Sequence, residues 1–221
     1  MAAAPRSESE PRLRCWQCKK ATPIAFFCQH CNAVQRLPSN TNYSNLLGFG
    51  GLPKIDRKVL EDRYYALSRK LHPDRFQTGT SEEQQASLQA TALLNTAFQT
   101  LSDIEKCGRW WLEQEGESLG RGNSEVPAAL AARVFEVQEK IAEFEAAGEA
   151  SRSEARGELS EIRKELTSQL EEERTTVEKT LQTWGDTPED RASARADLKQ
   201  GLSKISYLHT LKRDVRRALE D

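Results

Sequence analysis

Residues 57–76 read RKVLEDRYYALSRKLHPDRF, and this stretch decides the fold. Asp56, directly before it, is a favourable N-cap residue for a helix. Pro73 has no backbone N–H and cannot continue a helix, so the helix is expected to end just before it. Apolar side chains recur inside the stretch at helical spacing, and the predicted helix must bury them against neighbours. They are Leu60, Tyr64, Leu67 and Leu71.

The same helix carries positive charge away from its apolar side. Lys58 and Arg69 fall opposite the apolar stripe, while Arg63 and Lys70 lie on its flank. A helix with one inward apolar face and one cationic face suits reversible, salt-sensitive docking onto an acidic partner surface. A solvated helix surface without a partner is the alternative interpretation.

Short helices are predicted on both sides of this stretch. One covers residues 43–47 and stops at Gly48, and another opens with a capping box at residues 81–84, of sequence SEEQ. A shorter helix from about residue 103 carries Trp110 and Trp111. The helix that follows the capping box is expected to bury Leu94, Ala97, Phe98 and Leu101.

Together, residues 42–116 resemble a J-domain. The resemblance rests on the short first helix, the basic helix, the His72-Pro73-Asp74 tripeptide and the string NTAFQTL at 95–101. In that family the tripeptide contacts the ATPase of a DnaK/HscA-type chaperone and promotes ATP hydrolysis. The resemblance implies this role for His72, Pro73 and Asp74. It implies a chaperone-docking face formed by Lys58, Arg63, Arg69 and Lys70.

Two other interpretations of the tripeptide are less well supported. Residues 72–74 are compatible with an ordinary helix stop and turn, but the surrounding helices disfavour this. A catalytic pair of His72 and Asp74 would lack a positioned nucleophile and an oxyanion donor. The sequence contains no phosphate-binding loop of P-loop type, so the nucleotide is expected on the partner and the chain is not expected to be an enzyme.

The N-terminal region contains two close pairs of cysteines. Cys15-x2-Cys18 and Cys28-x2-Cys31 are separated by nine residues. Four thiolates on two such turns can close a tetrahedral zinc site, so residues 15–36 are predicted to form a small structural zinc module. Disulfides, a redox dithiol and a rubredoxin-like iron centre remain alternatives. His30 is interpreted as a bystander, and Cys107 as packing material.

Residues 126–221 carry three long amphipathic stripes joined by short connections, which predicts a three-helix bundle. Gly148 separates the first helix from the second, and residues 185–188 separate the second from the third. The predicted fold class is therefore all-α: a J-domain and a C-terminal three-helix bundle, preceded by the four-cysteine module. Residues 1–14 are expected to be a disordered tail.

The cysteine module placed before a J-domain resembles the HscB-type J-proteins of iron–sulfur cluster assembly. This resemblance rests on the strings RCWQC at 14–18 and FFCQHCNAVQ at 26–35. In that family the C-terminal bundle binds the scaffold protein on which a cluster is built. The resemblance implies a scaffold-binding patch at Ala131, Ala132, Phe135, Glu136, Glu139 and Tyr207. The family tends to have larger apolar side chains where this chain has Ala131 and Ala132, so the binding is expected to be weaker or partly relocated.

The position of Phe135 supports a partner site independently. It lies about 140° around its helix from Leu130, at 3.6 residues per turn, and thus away from the buried stripe. Tyr207 is similarly turned away from the stripe of its own helix. Exposed aromatic side chains on polar faces suggest partner contacts, although single ones are often without a role.

The charge balance limits the classes of partner. The chain has 32 Lys and Arg against 34 Asp and Glu, which gives no sign of bulk attraction to nucleic acid or membrane. A nucleic-acid-binding zinc protein and a general protein-folding J-protein with a zinc module are the alternatives. The absence of a recognisable leader in the first fourteen residues favours the bacterial cytoplasm, with the mitochondrial matrix as the alternative.

Overall fold

The computed structural model describes residues 12–38, 40–119 and 128–220. These residues form two compact units, Met1–Asp103 and Ile104–Asp221. Helices dominate both units, which confirms the predicted all-α class. None of the helices within the described ranges combines the length and the apolar character needed to cross a membrane.

The first unit begins with a short antiparallel hairpin. Strand β1, Arg12–Arg14, pairs with β2, Ala21–Pro23, and Leu13 lies opposite Thr22. Residues 12–14, which the sequence analysis places in the N-terminal tail, are therefore ordered in a strand. A further isolated bridge joins Phe27 to Val34. The remainder of the predicted tail lies outside the described residues.

Three α-helices and one 3₁₀ turn complete the first unit. They are α1, Tyr43–Leu46; α2, Arg57–Leu71; the 3₁₀ turn Pro73–Phe76; and α3, Ser81–Ser102. The Asp56 side chain accepts a hydrogen bond from the Val59 N–H and caps α2, as its position predicts.

The capping box of α3 lies one residue earlier than predicted. Thr80, and not Ser81, is the N-cap residue. Its hydroxyl accepts from the Glu83 N–H at 3.3 Å, and the Glu83 carboxylate accepts from the Thr80 N–H at 2.8 Å. Both Thr80 and Ser81 precede a carboxylate or amide side chain by three residues, so the sequence pattern alone fits either register.

Helices α2 and α3 pack antiparallel through the predicted apolar stripes. Leu60, Leu71 and Leu94 are fully buried. Tyr64 stacks on Phe98 with ring centroids 4.1 Å apart, and its hydroxyl donates to the Asn95 side chain at 3.0 Å. The stripe of α2 therefore meets the side of α3 that the sequence predicts to be buried.

The second unit contains four helices: α4, Ile104–Gln114; α5, Ala128–Ala146; α6, Glu149–Gln182; and α7, Pro188–Glu220. The predicted stripe of α6 is buried along its whole length. Helix α4, which the sequence analysis assigns to the J-domain range 42–116, packs on α6 and α7. Trp111 explains this packing, because it is buried and makes an edge-to-face contact with Trp184.

Two glycines in long helices provide a matched test of how closely α6 and α7 pack. Gly157→Ala should raise the free energy of unfolding of the second unit by about 0.5–1 kcal/mol, because nothing lies within 4 Å of the added methyl group. The added methyl of Gly201→Ala would come within 2.8 Å of Val177 Cγ2. This variant should be less stable than Gly157→Ala by at least about 1 kcal/mol, since overpacking a core costs about 1–3 kcal/mol.

Urea unfolding followed by tryptophan fluorescence measures both variants. Three of the four tryptophans, Trp110, Trp111 and Trp184, lie in the second unit. Equal stabilisation by the two substitutions would contradict the close approach of α6 and α7 at Gly201.

Candidate functional sites

The His72-Pro73-Asp74 tripeptide lies where α2 ends and the 3₁₀ turn begins. His72 is both the C-cap of α2 and the N-cap of the turn, and its Nδ1 accepts from the Asp74 N–H at 3.3 Å. The Asp74 carboxylate lies 3.4 Å from the same nitrogen. The two side chains are nevertheless 55% and 72% exposed, so a locally shaped loop presents both to solvent.

Two hydroxyl groups of α3 hold the start of this loop. The last carbonyl groups of a helix lack partners within the helix and need them from elsewhere. The Leu71 carbonyl accepts from Ser87 Oγ at 2.6 Å and from Thr91 Oγ1 at 3.0 Å. Ser87 is fully buried. The sequence analysis missed both residues, although their spacing places them on the same face of α3 as the buried Leu94.

The predicted docking residues of α2 differ in their surroundings. Lys58, Arg69 and Lys70 are exposed. Arg63 is half-buried, its guanidinium donates to the Leu47 carbonyl at 2.7 Å, and it lies 4.6 Å from the centre of the Phe49 ring. Arg63 therefore ties α2 to the segment after α1, in addition to any role in docking.

Arg75 is a further exposed cation that the sequence analysis did not single out. It follows the tripeptide directly and lies in the last turn of the 3₁₀ segment. Its position directly after residues 72–74 could have identified it in the sequence. Exposed positive charge is thus present on both sides of the tripeptide, on α2 before it and at Arg75 after it.

The four cysteines of the N-terminal module converge on one point. Their sulfur atoms all lie within 4.8 Å of one another, with Cys15–Cys31 at 3.6 Å and Cys18–Cys28 at 3.8 Å. A tetrahedron of sulfurs around zinc, with zinc–sulfur distances of about 2.3 Å, has edges of about 3.8 Å. The separations are far from the roughly 2 Å of a disulfide bond. The geometry therefore fits a four-coordinate metal site.

The two halves of the module repeat one backbone pattern. The Cys15 carbonyl accepts from the Lys19 N–H at 3.0 Å, and the Cys28 carbonyl accepts from the Asn32 N–H at 2.9 Å. Lys19 and Asn32 have positive φ angles of 61° and 59°, respectively. Each CxxC pair is therefore carried on the same tight turn, so each half supplies two sulfurs with similar geometry.

Neighbouring N–H groups favour the thiolate form of Cys15. Burial opposes its ionisation, but hydrogen bonds from the Cys18 and Gln17 backbone and from the Gln35 side chain lower its pKa to about 6. The Gln35 amide lies 3.4 Å from the Cys15 sulfur and is held by the Ala33 carbonyl at 2.7 Å. Sequence analysis did not predict this role for Gln35, and its spacing from the cysteines gives no recognisable signal.

The surroundings of Cys31, in contrast, disfavour its thiolate form. A backbone hydrogen bond from Ala33 favours its thiolate, but partial loss of solvation and the three neighbouring cysteines raise its pKa to about 11. Four thiolates in one place repel each other, so a cation is needed to hold all four deprotonated. The His30 ring nitrogen lies 3.1 Å from the Ala21 carbonyl. This contact is consistent with the predicted bystander role of His30.

The predicted scaffold patch lies mainly on the outer side of α5. Phe135 is 77% exposed, as its helical phase predicts. Ala132, Glu136 and Glu139 are also exposed, whereas Ala131 is half-buried. Tyr207 lies on α7, which packs on α5; it is half-buried and has interaction partners within the protein.

An ionic contact links this patch to α6. Arg133 lies 2.8 Å from the Glu136 carboxylate and also contacts Glu165 on α6. Burial disfavours the Arg133 charge, but the two carboxylates outweigh this effect and raise its pKa. The position of the Glu136 side chain therefore depends on Arg133.

Removing the hydroxyls that hold Leu71 should loosen the first unit locally. Combining Ser87→Ala with Thr91→Val leaves the Leu71 carbonyl without these two donors and should cost about 1–3 kcal/mol. Amide hydrogen exchange in α2 and α3 measures the loss as faster exchange.

The matched control is Thr96→Val in the same helix. Thr96 is exposed and bonds to the Ala92 carbonyl of its own helix, so the change should stay within about 0.5 kcal/mol. Equal effects of the control and the double variant would show that the Leu71 contacts are not special.

Comparisons with known proteins agree with these features. The mouse protein named iron-sulfur cluster co-chaperone protein HscB is 27% identical over 162 residues, which cover 71% of this chain and 68% of the mouse protein. The human protein of that name is 29% identical over 162 residues, with the same coverage. No protein-family model matches the chain.

The solved structures give the same result at the level of the fold. The crystal structure of the human co-chaperone protein HscB matches with a TM-score of 0.61 and 26% identity, covering 93% of this chain and 98% of the human one. Chaperone HscB from Vibrio cholerae matches with a TM-score of 0.62 at 21% identity, covering 80% of this chain and 96% of that one. At 21% identity, the match to the Vibrio cholerae protein is evidence for a shared fold alone. In sequence and in fold, the chain is therefore a homologue of the HscB co-chaperones.

Proposed function

We propose that this protein is a J-domain co-chaperone of iron–sulfur cluster assembly. It stimulates the ATPase of an HscA/DnaK-type chaperone and brings the cluster scaffold protein to it. The observation that carries the proposal is the exposed His72 and Asp74 pair at the end of a cationic helix. This helix end is held by the Ser87 and Thr91 hydroxyls, which donate to the Leu71 carbonyl. The names of the mouse and human relatives, iron-sulfur cluster co-chaperone protein HscB, support the iron–sulfur part.

Docking starts from the charges of α2. Lys58, Arg69 and Lys70 project into solvent and attract an acidic face of the chaperone over about a Debye length. His72 and Asp74 then meet the ATPase at a fixed position, because Leu71 before them is fully buried and anchored to α3. A preshaped loop loses little conformational freedom on binding, so more of the contact energy is available to favour the hydrolysing state of the chaperone.

The scaffold binds, in this proposal, to the outer side of α5. Phe135 supplies the aromatic anchor, and Glu136 and Glu139 supply carboxylates beside it. The small side chains of Ala131 and Ala132 bury less apolar area than larger ones would, at about 25 cal/mol per Å2. Phe135 is therefore expected to provide a large share of the apolar contact with the scaffold.

The four cysteines hold one structural zinc ion in this proposal. The spacing of the sulfurs fits a tetrahedral site, and all four protein ligands are used, so no position is left for a substrate. Beyond Phe26, Val34 and the ligands themselves, the module from 12 to 38 has few buried apolar side chains. Metal binding therefore supplies much of its folding energy.

Single-turnover ATP hydrolysis by an HscA/DnaK-type chaperone tests the J-domain role. The wild-type protein should increase the rate at least about tenfold, and His72→Gln should abolish the increase. The matched control is His209→Gln in the second unit, where the ring is exposed and pairs with Glu105 at 3.1 Å. It should stimulate like the wild type. Absence of stimulation by the wild-type protein would overturn the central proposal.

Adding the scaffold protein to the same assay tests delivery. The scaffold should increase the stimulation further, and Phe135→Ala should weaken scaffold binding about tenfold, or about 1.4 kcal/mol, in calorimetry. Leu88→Ala removes another exposed apolar side chain, 61% exposed on α3, and should leave scaffold binding unchanged. Stimulation without a scaffold effect, together with binding of many unfolded clients, would favour the general J-protein instead.

Metal analysis by mass spectrometry tests the cysteine site. The purified protein should contain one zinc per chain, and Cys28→Ser should lose it and unfold the module. Cys107→Ser, which changes a buried cysteine in the second unit, should keep the metal. A visible thiolate-to-iron absorption band with stoichiometric iron would contradict zinc and identify a rubredoxin-like centre.

The cellular location stays a prediction. Curated relatives come from mouse, human and Arabidopsis thaliana, and their eukaryotic origin fits the mitochondrial alternative better than the bacterial cytoplasm.

A further inference from the structure

Tyr65 is a large aromatic side chain that does not contribute to the core of the first unit. It is 58% exposed, whereas the adjacent Tyr64 stacks on Phe98 and bonds to Asn95. Of these two consecutive tyrosines on α2, one packs within the unit and the other lies mostly in solvent. Packing against α3 accounts for an aromatic residue at position 64. The same packing does not account for one at position 65, because most of the Tyr65 ring is exposed to water.

Tyr65 lies in the same row as the exposed cations. It is seven residues after Lys58 and four before Arg69, so at about 100° per residue it is within about 40° of both around the helix axis. His72 follows seven residues after Tyr65, directly beyond the end of α2. The exposed phenol ring thus lies between Lys58 and Arg69 in a row that also contains the exposed carboxylate of Asp62 and that leads to the tripeptide.

From this placement we infer that Tyr65 is a contact residue for the chaperone, and that it determines affinity on the docking face. The inference rests on the proposed J-domain function. It also describes the partner: the acidic surface that receives Lys58 and Arg69 must contain, between those contacts, an apolar depression with an oxygen acceptor. The depression takes the ring, and the acceptor takes the phenol O–H.

An aromatic residue contributes in a way that lysine and arginine on this surface do not. Attraction between exposed charges is weakened by salt, whereas burial of an aromatic ring is much less sensitive to it. Tyrosine also has few rotatable bonds, so little conformational freedom is lost when it is held. The charges therefore bring the partners together, and Tyr65 slows their separation.

A purely structural role for Tyr65 makes a different prediction. The Tyr64 and Tyr65 rings are in edge-to-face contact with centroids 5.3 Å apart, so Tyr65 could serve mainly to support its neighbour. In that case a substitution would loosen α2 on α3 before it affected the chaperone. Stability and docking must therefore be measured on the same variants.

The experiment titrates the full-length protein into single-turnover ATPase assays with the HscA/DnaK-type chaperone. Tyr65→Gln should raise the concentration for half-maximal stimulation about tenfold, while the rate at saturation stays within about twofold of wild type. Tyr65→Phe keeps the ring and should lose no more than about threefold. Leu88→Gln removes a side chain of similar exposure from α3 and should titrate like the wild type.

The salt dependence separates Tyr65 from the charges around it. The loss from Tyr65→Gln should be equal, within twofold, at low and at high salt. Lys58→Gln should show a large loss at low salt that shrinks as salt is added.

Four outcomes would overturn the inference in distinguishable ways. Failure of the wild-type protein to stimulate would remove the proposed function and this inference together. If His72→Gln loses stimulation but Tyr65→Gln titrates like the wild type, the proposed contact of Tyr65 is refuted and the proposed function is not. Equal losses from Tyr65→Gln and Leu88→Gln would show a general effect of exposed apolar area. Faster hydrogen exchange along α2 in Tyr65→Gln would assign the residue to support of Tyr64.

Discussion

A single backbone carbonyl, that of Leu71, controls the part of the molecule on which the proposed function depends. A helix that stops before proline exposes carbonyl groups that its own N–H groups cannot reach. In this protein α3 supplies the missing donors through Ser87 and Thr91, and Leu71 itself is fully buried. The end of α2 is therefore fixed in register against α3, and the tripeptide begins from a rigid point.

The cysteine module depends on a different source of stability from the helices. It is too small to bury much apolar surface, and its backbone is organised by two turns that each need a residue with positive φ. The sulfurs have unequal environments: hydrogen bonds stabilise the thiolate of Cys15, while the other cysteines oppose that of Cys31. In the proposed metal site, a divalent cation would offset half of the charge of the four thiolates and favour their deprotonated forms. In the proposed metal site, charge compensation thus has the role that apolar packing has between the helices.

Sequence periodicity predicted the helices and their buried faces well, because burial of an amphipathic stripe is a local property. The four-cysteine cluster was also predictable, since ligand spacing alone defines such a site. Other features depend on neighbours that are distant in sequence. Helix α4 has an apolar face that suits either unit, and contacts distant in sequence assign it, such as those of Trp111 with Trp184 and of Arg109 with Ser206. The contact of Gln35 with a cysteine sulfur and that of Ser87 with Leu71 similarly join residues whose pairing no local pattern specifies.

The unequal exposure of the four sulfurs has a consequence for the lifetime of the metal site. Cys15 and Cys28 are buried, Cys18 is half-buried, and Cys31 is exposed. If the four thiolates hold a metal as proposed, Cys31 is the sulfur that an oxidant or a competing thiophilic ion reaches first. Because the proposed metal supplies much of the folding energy of the module, damage at this one sulfur would destabilise the whole fold of residues 12–38. In the proposed metal site, the exposure of this one ligand thus limits the tolerance of the module to oxidation.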